Sequence, residues 1–292
     1  MAQGPRAGPC RQGPRRRRGP LNERTSEGVR TRALRALATP DPGGKALAAR
    51  RLADDWRAGQ LRLEATAPPP PDRPARPPRP SLAPPADMPR RRLGGAAGRR
   101  ALLHAVAHIE FNAIDLALDL VARFAARLPE TLDRTQFVTD WLGVADDEAR
   151  HFAMVCGRLS EIGCAYGDLP AHNGLWDAAY RTRRDVAERL AIAPMVLEAR
   201  GLDVTPGMIA RLETAGDDES ADVLKVILSE EVGHVAAGVR WFKAVCAARG
   251  VEAGPYFRHL VGTRFAGSLK PPFNETARAE AGFEAAFYRD AA

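Results

Sequence analysis

The sequence predicts an all-α protein whose centre is a four-helix bundle over residues 98–250. Four segments in this region carry apolar residues at the spacing of a single helix face. Each apolar face also contains a glutamate, and two of these glutamates begin a Glu-x-x-His motif. Because a buried carboxylate is costly unless it is paired, protonated or bound to a metal, the four faces predict one shared polar site.

The basic character of the chain comes from its first hundred residues. The 292-residue sequence has a net charge of +7, but residues 1–100 alone carry +15 and the remainder carries −8. The high isoelectric point is therefore no argument for a nucleic-acid-binding domain, although the basic leader could contact an anionic partner such as nucleic acid. Residues 1–26 are mostly Gly, Pro and Arg, and we expect them to be disordered.

Two further elements precede the predicted bundle. Residues 27–64 contain two amphipathic stretches separated by a Pro- and Gly-rich break at residues 40–44, which predicts a helical hairpin. Residues 65–97 form a proline-rich linker, a composition that favours an extended polyproline II conformation. We expect this linker to lie as a strap over the bundle; a ligand for a proline-binding domain is the alternative.

The first half of the bundle consists of two helices and a crossover. The first helix begins near Gly98 and has Glu110 in the middle of its apolar face. The second covers about residues 135–162 and carries Glu148 and His151. A Gly- and Pro-punctuated segment, residues 163–173, then predicts the start of a long crossover, with Trp176 opening a further helix.

The second half repeats this arrangement. The third helix carries Glu198, and Pro194 is expected to kink it one turn earlier. The fourth begins after Gly216 with Asp217 or Asp218 as its cap, carries the second Glu-x-x-His motif and ends at Gly250. Residues 251–292 form a C-terminal helical extension, with a short helix over residues 255–261 and a last helix over residues 275–288.

The ordered set of acids and histidines predicts a metal centre. On a helix, residues i and i+3 share a face, so each Glu-x-x-His motif presents a carboxylate and an imidazole together. Di-iron and di-manganese carboxylate bundles place such a set on four inward-facing helices. A single glutamate in an apolar face is more often a snorkelling side chain, and a degenerate bundle without metal is the alternative here. The predicted ligands are Glu110, Glu148, His151, Glu198, Glu231 and His234.

Several neighbouring polar residues have less specific interpretations. His104 and His108 lie off the face that carries Glu110, which favours packing or support roles over metal ligation. Arg200 and Asp203 lie beside the Glu198 turn. They either brace the site or form a surface ion pair.

The motifs also resemble known families. Residues 147–151, with the sequence DEARH, resemble the D-E-x-R-H signature of bacterial di-iron monooxygenases in the ferritin-like superfamily. More closely, about residues 28–290 resemble a bacterial ferritin-like family catalogued as domain of unknown function 455. The segments that carry this resemblance are residues 108–117, 148–152, 194–203 and 231–235.

The resemblance implies a ferritin-like bundle with the six ligands above and three supporting residues. Asp147 would orient His234, Glu230 would orient His151, and Arg150 would hold Asp147. The second motif departs from the signature, because it has Glu230 in place of Asp and Gly233 in place of Arg.

The predicted ligand set suits two Fe ions, with Mn or a mixed Fe/Mn pair as the alternative. Our leading hypothesis is a non-haem di-iron, O₂-dependent oxidoreductase or hydroxylase that uses an electron donor and a small or nucleotide-sized substrate. The sequence assigns no catalytic residue. An iron-handling protein without an organic substrate and a metal-free interaction module are the other hypotheses.

The sequence favours a soluble cytoplasmic protein with no membrane partner. No apolar run approaches the roughly 20 residues that a membrane-spanning helix needs, and the N-terminus lacks the apolar core of a secretory signal. The four cysteines have neither CxxC spacing nor the density of a disulfide framework, which suits a reducing compartment.

Overall fold

The computed structural model describes residues 27–84 and 95–289, together with residues 1, 4 and 88. The leader predicted over residues 1–26 thus lies almost wholly outside the described residues. Within the described ranges the chain forms helices and no β-strand, which confirms the all-α prediction. The helices are α1 (Val29–Leu37), α2 (Pro42–Arg57), α3 (Ala96–Phe124), α4 (Arg134–Glu161), α5 (Gly174–Arg181), α6 (Val186–Ile192), α7 (Ala199–Thr214), α8 (Asp218–Ala248), α9 (Ala253–Arg264), α10 (Glu275–Glu280) and α11 (Ala285–Tyr288).

The bundle is formed by α3, α4, α8 and an arm that comprises α6 and α7. Helix α3 packs along α4, α7 packs along α8, and α4 joins the two pairs by its contacts with α8. Local capping defines where two of these helices begin. The Asp133 side chain accepts a hydrogen bond from the Gln136 N–H at 2.9 Å, and Asp217 accepts one from the Ser220 N–H at 3.2 Å. Asp217 is one of the two caps that the sequence predicts for α8.

The arm between α6 and α7 is interrupted by a π-helical turn over Ala193–Glu198. Pro194 lies in this turn, and a proline has no N–H to donate to an α-helical hydrogen bond. The turn packs closely on α8 at Gly238, where a Cβ atom would lie only 2.5 Å from Pro194 Cβ. The glycine therefore permits a close approach between the arm and α8.

The N-terminal elements cover α3 and α4. Helix α1 packs mainly on α3, and α2 packs mainly on α4. The proline-rich segment is attached by side chains of the bundle: Trp176 Nε1 donates to the Asp72 carbonyl at 2.9 Å, and Arg123 Nη2 donates to the Pro71 carbonyl at 2.9 Å. Lys45 Nζ joins α2 to the segment through the Ala75 carbonyl at 2.8 Å.

The C-terminal extension differs from the prediction at one point. The last helix, expected as one piece over residues 275–288, is divided into α10 and α11 by a turn at Gly282. Gly282 has a φ of +69°, a left-handed conformation that ends a helix and favours glycine. The turn buries Phe283 completely, where it packs on Phe257 and Tyr288. Burial of an aromatic ring accounts for the break.

Candidate metal centre

Four of the six predicted ligands meet at one point in the bundle. Each of the four offers a carboxylate oxygen or an imidazole nitrogen, and these four atoms all lie within 4.8 Å of one another. All four residues are buried, and they come from α3, α4 and α8. The cluster consists of Glu110, Glu148, His151 and Glu231. A buried group of carboxylates and an imidazole at this spacing could hold a metal ion.

His234 lies on the other side of Glu148 from His151. Glu148 Oε1 is 3.1 Å from His234 Nδ1, and Glu148 Oε2 is 3.7 Å from His151 Nδ1. Glu231 Oε1 lies between the same two rings, 3.5 Å from His234 Nδ1 and 3.9 Å from His151 Nδ1. Each of the two Glu-x-x-His glutamates therefore lies within 4 Å of the Nδ1 atoms of both imidazoles.

Glu110 and Glu198 interact with different histidines of this group. Glu110 Oε2 is 3.3 Å from His151 Nδ1. Glu198 is the last residue of the π-helical turn. The charges of Glu231, Glu148 and His234 act on its pKa. It lies outside the cluster of four, so the structure brings together five predicted ligands by direct distances and places the sixth close enough to interact electrostatically.

The atoms directed into this site lack hydrogen-bond partners. In the described part of the chain, eleven buried side-chain nitrogens and oxygens have no partner, and six of them belong to the predicted ligands. Since an unsatisfied buried polar atom costs about 1–3 kcal/mol, such a concentration requires another source of stabilisation. The six atoms are Glu110 Oε2, both carboxylate oxygens of Glu148, His151 Nδ1, Glu198 Oε2 and His234 Nδ1.

The electrostatics of the site favour a cation. Burial, together with the charge of Glu148, raises the pKa of Glu110 well above its ordinary value. Burial and the charge of Glu231 do the same to the pKa of Glu198, and burial also raises the pKa of Glu231. These carboxylates cannot all be ionised in a low-dielectric interior unless positive charge is present.

The two histidines supply part of that charge when they are protonated. Burial lowers the pKa of His151, but Glu110 and Glu148 outweigh it and raise the pKa to about 11. The pKa of His234 is also well above its ordinary value, because Glu231 and its other acidic neighbours outweigh burial. Burial alone would raise the pKa of Glu148, yet its contacts with both histidines lower it. Protons thus provide the charge balance that a metal ion would otherwise provide.

A second layer of charged groups holds the outer nitrogens of both rings. Glu230 Oε2 is 2.6 Å from His151 Nε2, and Asp147 Oδ2 is 3.3 Å from His234 Nε2. When each Nε2–H donates to its carboxylate, the Nδ1 lone pair of the neutral ring points into the site, as a metal ligand requires. Arg150 Nη2 donates to Asp147 at 2.8 Å and to Glu230 at 2.6 Å, so one guanidinium links both supports.

A mostly apolar cleft of about 150 Å³ leads to the carboxylates. Its walls come from α3, α5, α7, α8 and the π-helical turn, and the carboxylates that line it are Glu110, Glu148, Glu198 and Glu231. No sequence signal indicates this cleft, because its walls are ordinary apolar positions on separate elements of the chain. Residues characteristic of the walls are Val106, Leu175, Leu197, Val204, Met208 and Ile227.

The remaining histidines of α3 hold the crossover loop. His108 Nδ1 is 2.9 Å from the Tyr166 hydroxyl, and His108 Nε2 is 3.0 Å from the His172 carbonyl. Because a carbonyl only accepts, Nε2 carries the proton and Nδ1 accepts from Tyr166. Burial lowers the pKa of His108 to about 4, which keeps the ring neutral. His104 Nε2 accepts from the Gly167 N–H at 2.9 Å, so both rings pack against the loop.

Comparisons with known proteins give a family without an assigned activity. A family model described as "Protein of unknown function (DUF455)" matches residues 38–289. A protein of Haemophilus influenzae strain Rd, described as an uncharacterized protein, is 42% identical over 208 residues, which cover 71% of this chain and 72% of the relative. No solved structure matches the chain. Among the described helices, none combines the length and the apolar character that crossing a membrane requires.

Proposed function

We propose that this chain, which belongs to the DUF455 family of proteins of unknown function, is a ferritin-like di-iron oxidoreductase that uses O₂. The observation that carries the proposal is that Glu148 and Glu231 each lie 3.1–3.9 Å from the Nδ1 atoms of both His151 and His234. Two carboxylates that both imidazoles share in this way suit a pair of metal ions.

The residues fit such a pair by their chemistry. Glu110 and His151 would hold one ion, and Glu198 and His234 would hold the other. Glu148 and Glu231 would complete the ligand set of both. The unpartnered atoms of these side chains support this assignment, since each would gain a bond to a cation. Two bound irons would supply one-electron steps for the reaction of O₂ with an organic substrate; manganese or a mixed pair is the alternative.

The protein side chains would orient the ligands and keep water from the reacting groups. Glu230 and Asp147 hold the Nε2 protons of His151 and His234, which fixes the ring tautomers. The apolar walls of the cleft exclude water and leave space for a substrate. This cleft favours an oxygenase or hydroxylase over a protein that only stores or oxidises iron, because iron handling needs no apolar binding space.

The proposed reaction also needs an electron donor. The described cysteines, Cys156, Cys164 and Cys246, are all free thiols. Free thiols support a reducing compartment, such as the cytoplasm, where such donors operate. The substrate and the donor are separate partners in this proposal.

Elemental analysis tests the metal centre directly. The full chain, purified from cells grown with added iron and manganese, is expected to contain about two irons per molecule. A Glu148→Ala/Glu231→Ala variant should lose them, since both shared ligands are gone. A Glu161→Ala/Glu219→Ala variant is the matched control, because it removes two exposed glutamates of α4 and α8.

The outcome separates the three hypotheses. Bound iron with no substrate-dependent O₂ consumption across candidate substrates would favour an iron-handling protein. No bound metal after purification and after anaerobic addition of Fe(II) would refute the proposal and leave an interaction module.

A further inference from the structure

A second cavity adjoins the apolar cleft. It has a volume of about 480 Å³, within the range of roughly 300–1,000 Å³ that is usual for small-molecule sites. Three cationic side chains line it, Arg200, Lys270 and Arg278, against a single acidic side chain, Asp203. The remaining lining is mainly apolar and comes from the π-helical turn and the segment between α9 and α10. We call it the cationic cavity.

Arg278 is the most deeply buried of these cations, with a side chain only 2% exposed. Its Nε and Nη2 atoms donate to the two oxygens of Asp203 at 2.9 and 2.7 Å, which neutralises that acid. The guanidinium also lies over Phe273 and Tyr288, with Cζ 4.8 and 4.5 Å from the ring centroids. These contacts fix its position in the cavity wall.

The third nitrogen of Arg278, Nη1, is buried and has no hydrogen-bond partner among the described residues. An unsatisfied buried donor on a charged group is costly, and a bound anion would satisfy it. Asp203 is paired to Arg278 and also lies 3.6 Å from Arg200 Nη1, so the three cations of the cavity wall exceed its single acid by two charges. The cationic cavity is therefore suited to a carboxylate or a phosphate group.

The cationic cavity and the cleft meet at shared residues. Leu197 and Arg200 line both, so the two spaces lie side by side. The base of the cleft is formed by acidic side chains, which disfavour an anion there. A volume near 150 Å³ with apolar walls holds a hydrocarbon group about the size of benzene. A ligand would therefore bind with its anionic group in the cationic cavity and its hydrocarbon part in the cleft, toward the carboxylate cluster.

We propose that the substrate is an amphipathic anion, whose carboxylate or phosphate is bound by Arg278, Arg200 and Lys270 and whose hydrocarbon part, of about six carbons, fills the cleft. The inference rests on the proposed function for the role of this molecule as substrate. Its binding requires only the cavity and the cleft. The position of the anion sets which carbon of the ligand comes nearest the metal centre.

Isothermal titration calorimetry with sodium octanoate and the purified full chain tests the anion site. Octanoate should bind, and 1-octanol, which has the same chain without the charge, should bind at least about tenfold more weakly. Octyl phosphate is the second probe, and the ratio of its affinity to that of octanoate shows which anion the cavity prefers. Lys270→Gln and Arg200→Gln should each weaken octanoate about tenfold. Lys225→Gln, an exposed lysine of α8 outside the cavity lining, should leave binding unchanged.

A pair of glycine variants in α7 tests the cleft. Gly201 lines the cleft, and a Cβ added there meets nothing within 4 Å, so Gly201→Leu fills the space without a clash at Cβ. Gly207 has equal room around its Cβ position and lies outside the cleft lining. Octanoate affinity should fall at least about fivefold in Gly201→Leu and stay unchanged in Gly207→Leu.

The outcomes distinguish this inference from the proposed function. Equal binding of octanoate and octanol, or no binding of either, overturns the anion site. Unchanged affinity in both Arg200→Gln and Lys270→Gln also overturns it. Charge-dependent binding by a chain without metal supports the anion site and refutes the proposed function, and with it the substrate role. Two irons per chain without octanoate or octyl phosphate binding leaves the proposed function and removes this inference.

Discussion

In the metal-free state the stability of this protein should fall as the pH rises above neutrality. The reason lies in His151 and His234, whose native-state pKa values are above the ordinary 6.5. A group with a raised native pKa contributes stability fully below its unfolded pKa and loses it as the pH rises through its native pKa. For His151 this window extends from 6.5 to about 11.

The magnitude follows from proton linkage. Within the window the native state holds one proton more at His151 than the unfolded state, which costs about 1.4 kcal/mol per pH unit. Between pH 7 and pH 9 the free energy of unfolding should fall by up to about 2.7 kcal/mol through His151. The raised pKa of His234 acts in the same direction. The raised pKa values of Glu110 and Glu198 act in the same direction, since these carboxyls also hold protons that the unfolded chain has lost.

Urea denaturation followed by circular dichroism at pH 7, 8 and 9 measures the effect. With a slope of about 2–3 kcal/mol per molar urea, 2.7 kcal/mol corresponds to a midpoint shift of roughly 1 M. The iron-loaded protein is the control: its ligands are already deprotonated by the metal, so its midpoint should be nearly independent of pH over this range. Equal pH dependence of the metal-free and the iron-loaded protein would refute the reasoning.

Three substitutions test other parts of the structure. Glu230→Gln should lower metal affinity about 10–100-fold, measured by competition with a chelator, because the carboxylate that supports an imidazole is lost while the fold remains. Lys45→Met should cost about 1–3 kcal/mol in urea denaturation, because the fully buried Asp115 loses the cation 2.7 Å away and keeps only Arg76 Nη1 at 3.1 Å. Gly238→Ala should cost about 1–3 kcal/mol and lower the iron content, because its Cβ would clash with Pro194 and displace the arm.

Each of these substitutions has a specific control. If the stability of Glu230→Gln falls by as much free energy as its metal binding does, Glu230 has a structural role. A double-mutant cycle of Lys45→Met with Asp115→Asn would assign the cost to this ion pair if the two changes are clearly non-additive. Gly233→Ala adds a methyl group to the same helix as Gly238 where nothing lies within 4 Å, so it should keep both stability and iron. Normal iron content in Gly238→Ala would contradict the role assigned to the close approach.

The helical repeat explains why so much of the candidate site could be predicted from the sequence. Glu148 and His151 are three residues apart, so the geometry of α4 alone places them on one face. Burial of the apolar face then turns that carboxylate inward, and the same argument applies to Glu110 on α3 and Glu231 on α8. Local signals also located the start of α8, since Asp217 caps it. These steps need only interactions between residues close in sequence.

Long-range contacts explain why the cationic cavity could not be predicted. From the sequence alone, Arg200 and Asp203 have two possible roles: they brace the site or they form a surface ion pair. In the structure Asp203 is fully buried and paired with Arg278, 75 residues further along the chain. Arg200 Nη1 donates to the carbonyl of Lys270, 70 residues away. Nothing in the local sequence of α7 indicates which distant segment will cover it.

The π-helical turn shows how a sequence signal can predict an irregularity without predicting its consequence. Pro194 predicts an interruption before Glu198, but a kink and a π turn rotate the following residues by different amounts. One extra residue in a turn changes the direction of later side chains by roughly 100°, the rotation per residue of an α-helix. A helical wheel drawn through Pro194 therefore misplaces either α6 or Glu198.

The register is set by contact with α8, where Gly238 has no Cβ and Pro194 occupies the space a Cβ would fill. The position of Glu198 thus depends on Gly238, which lies 40 residues further along the chain and outside the Glu-x-x-His motif of α8. Only the packed structure relates the two residues.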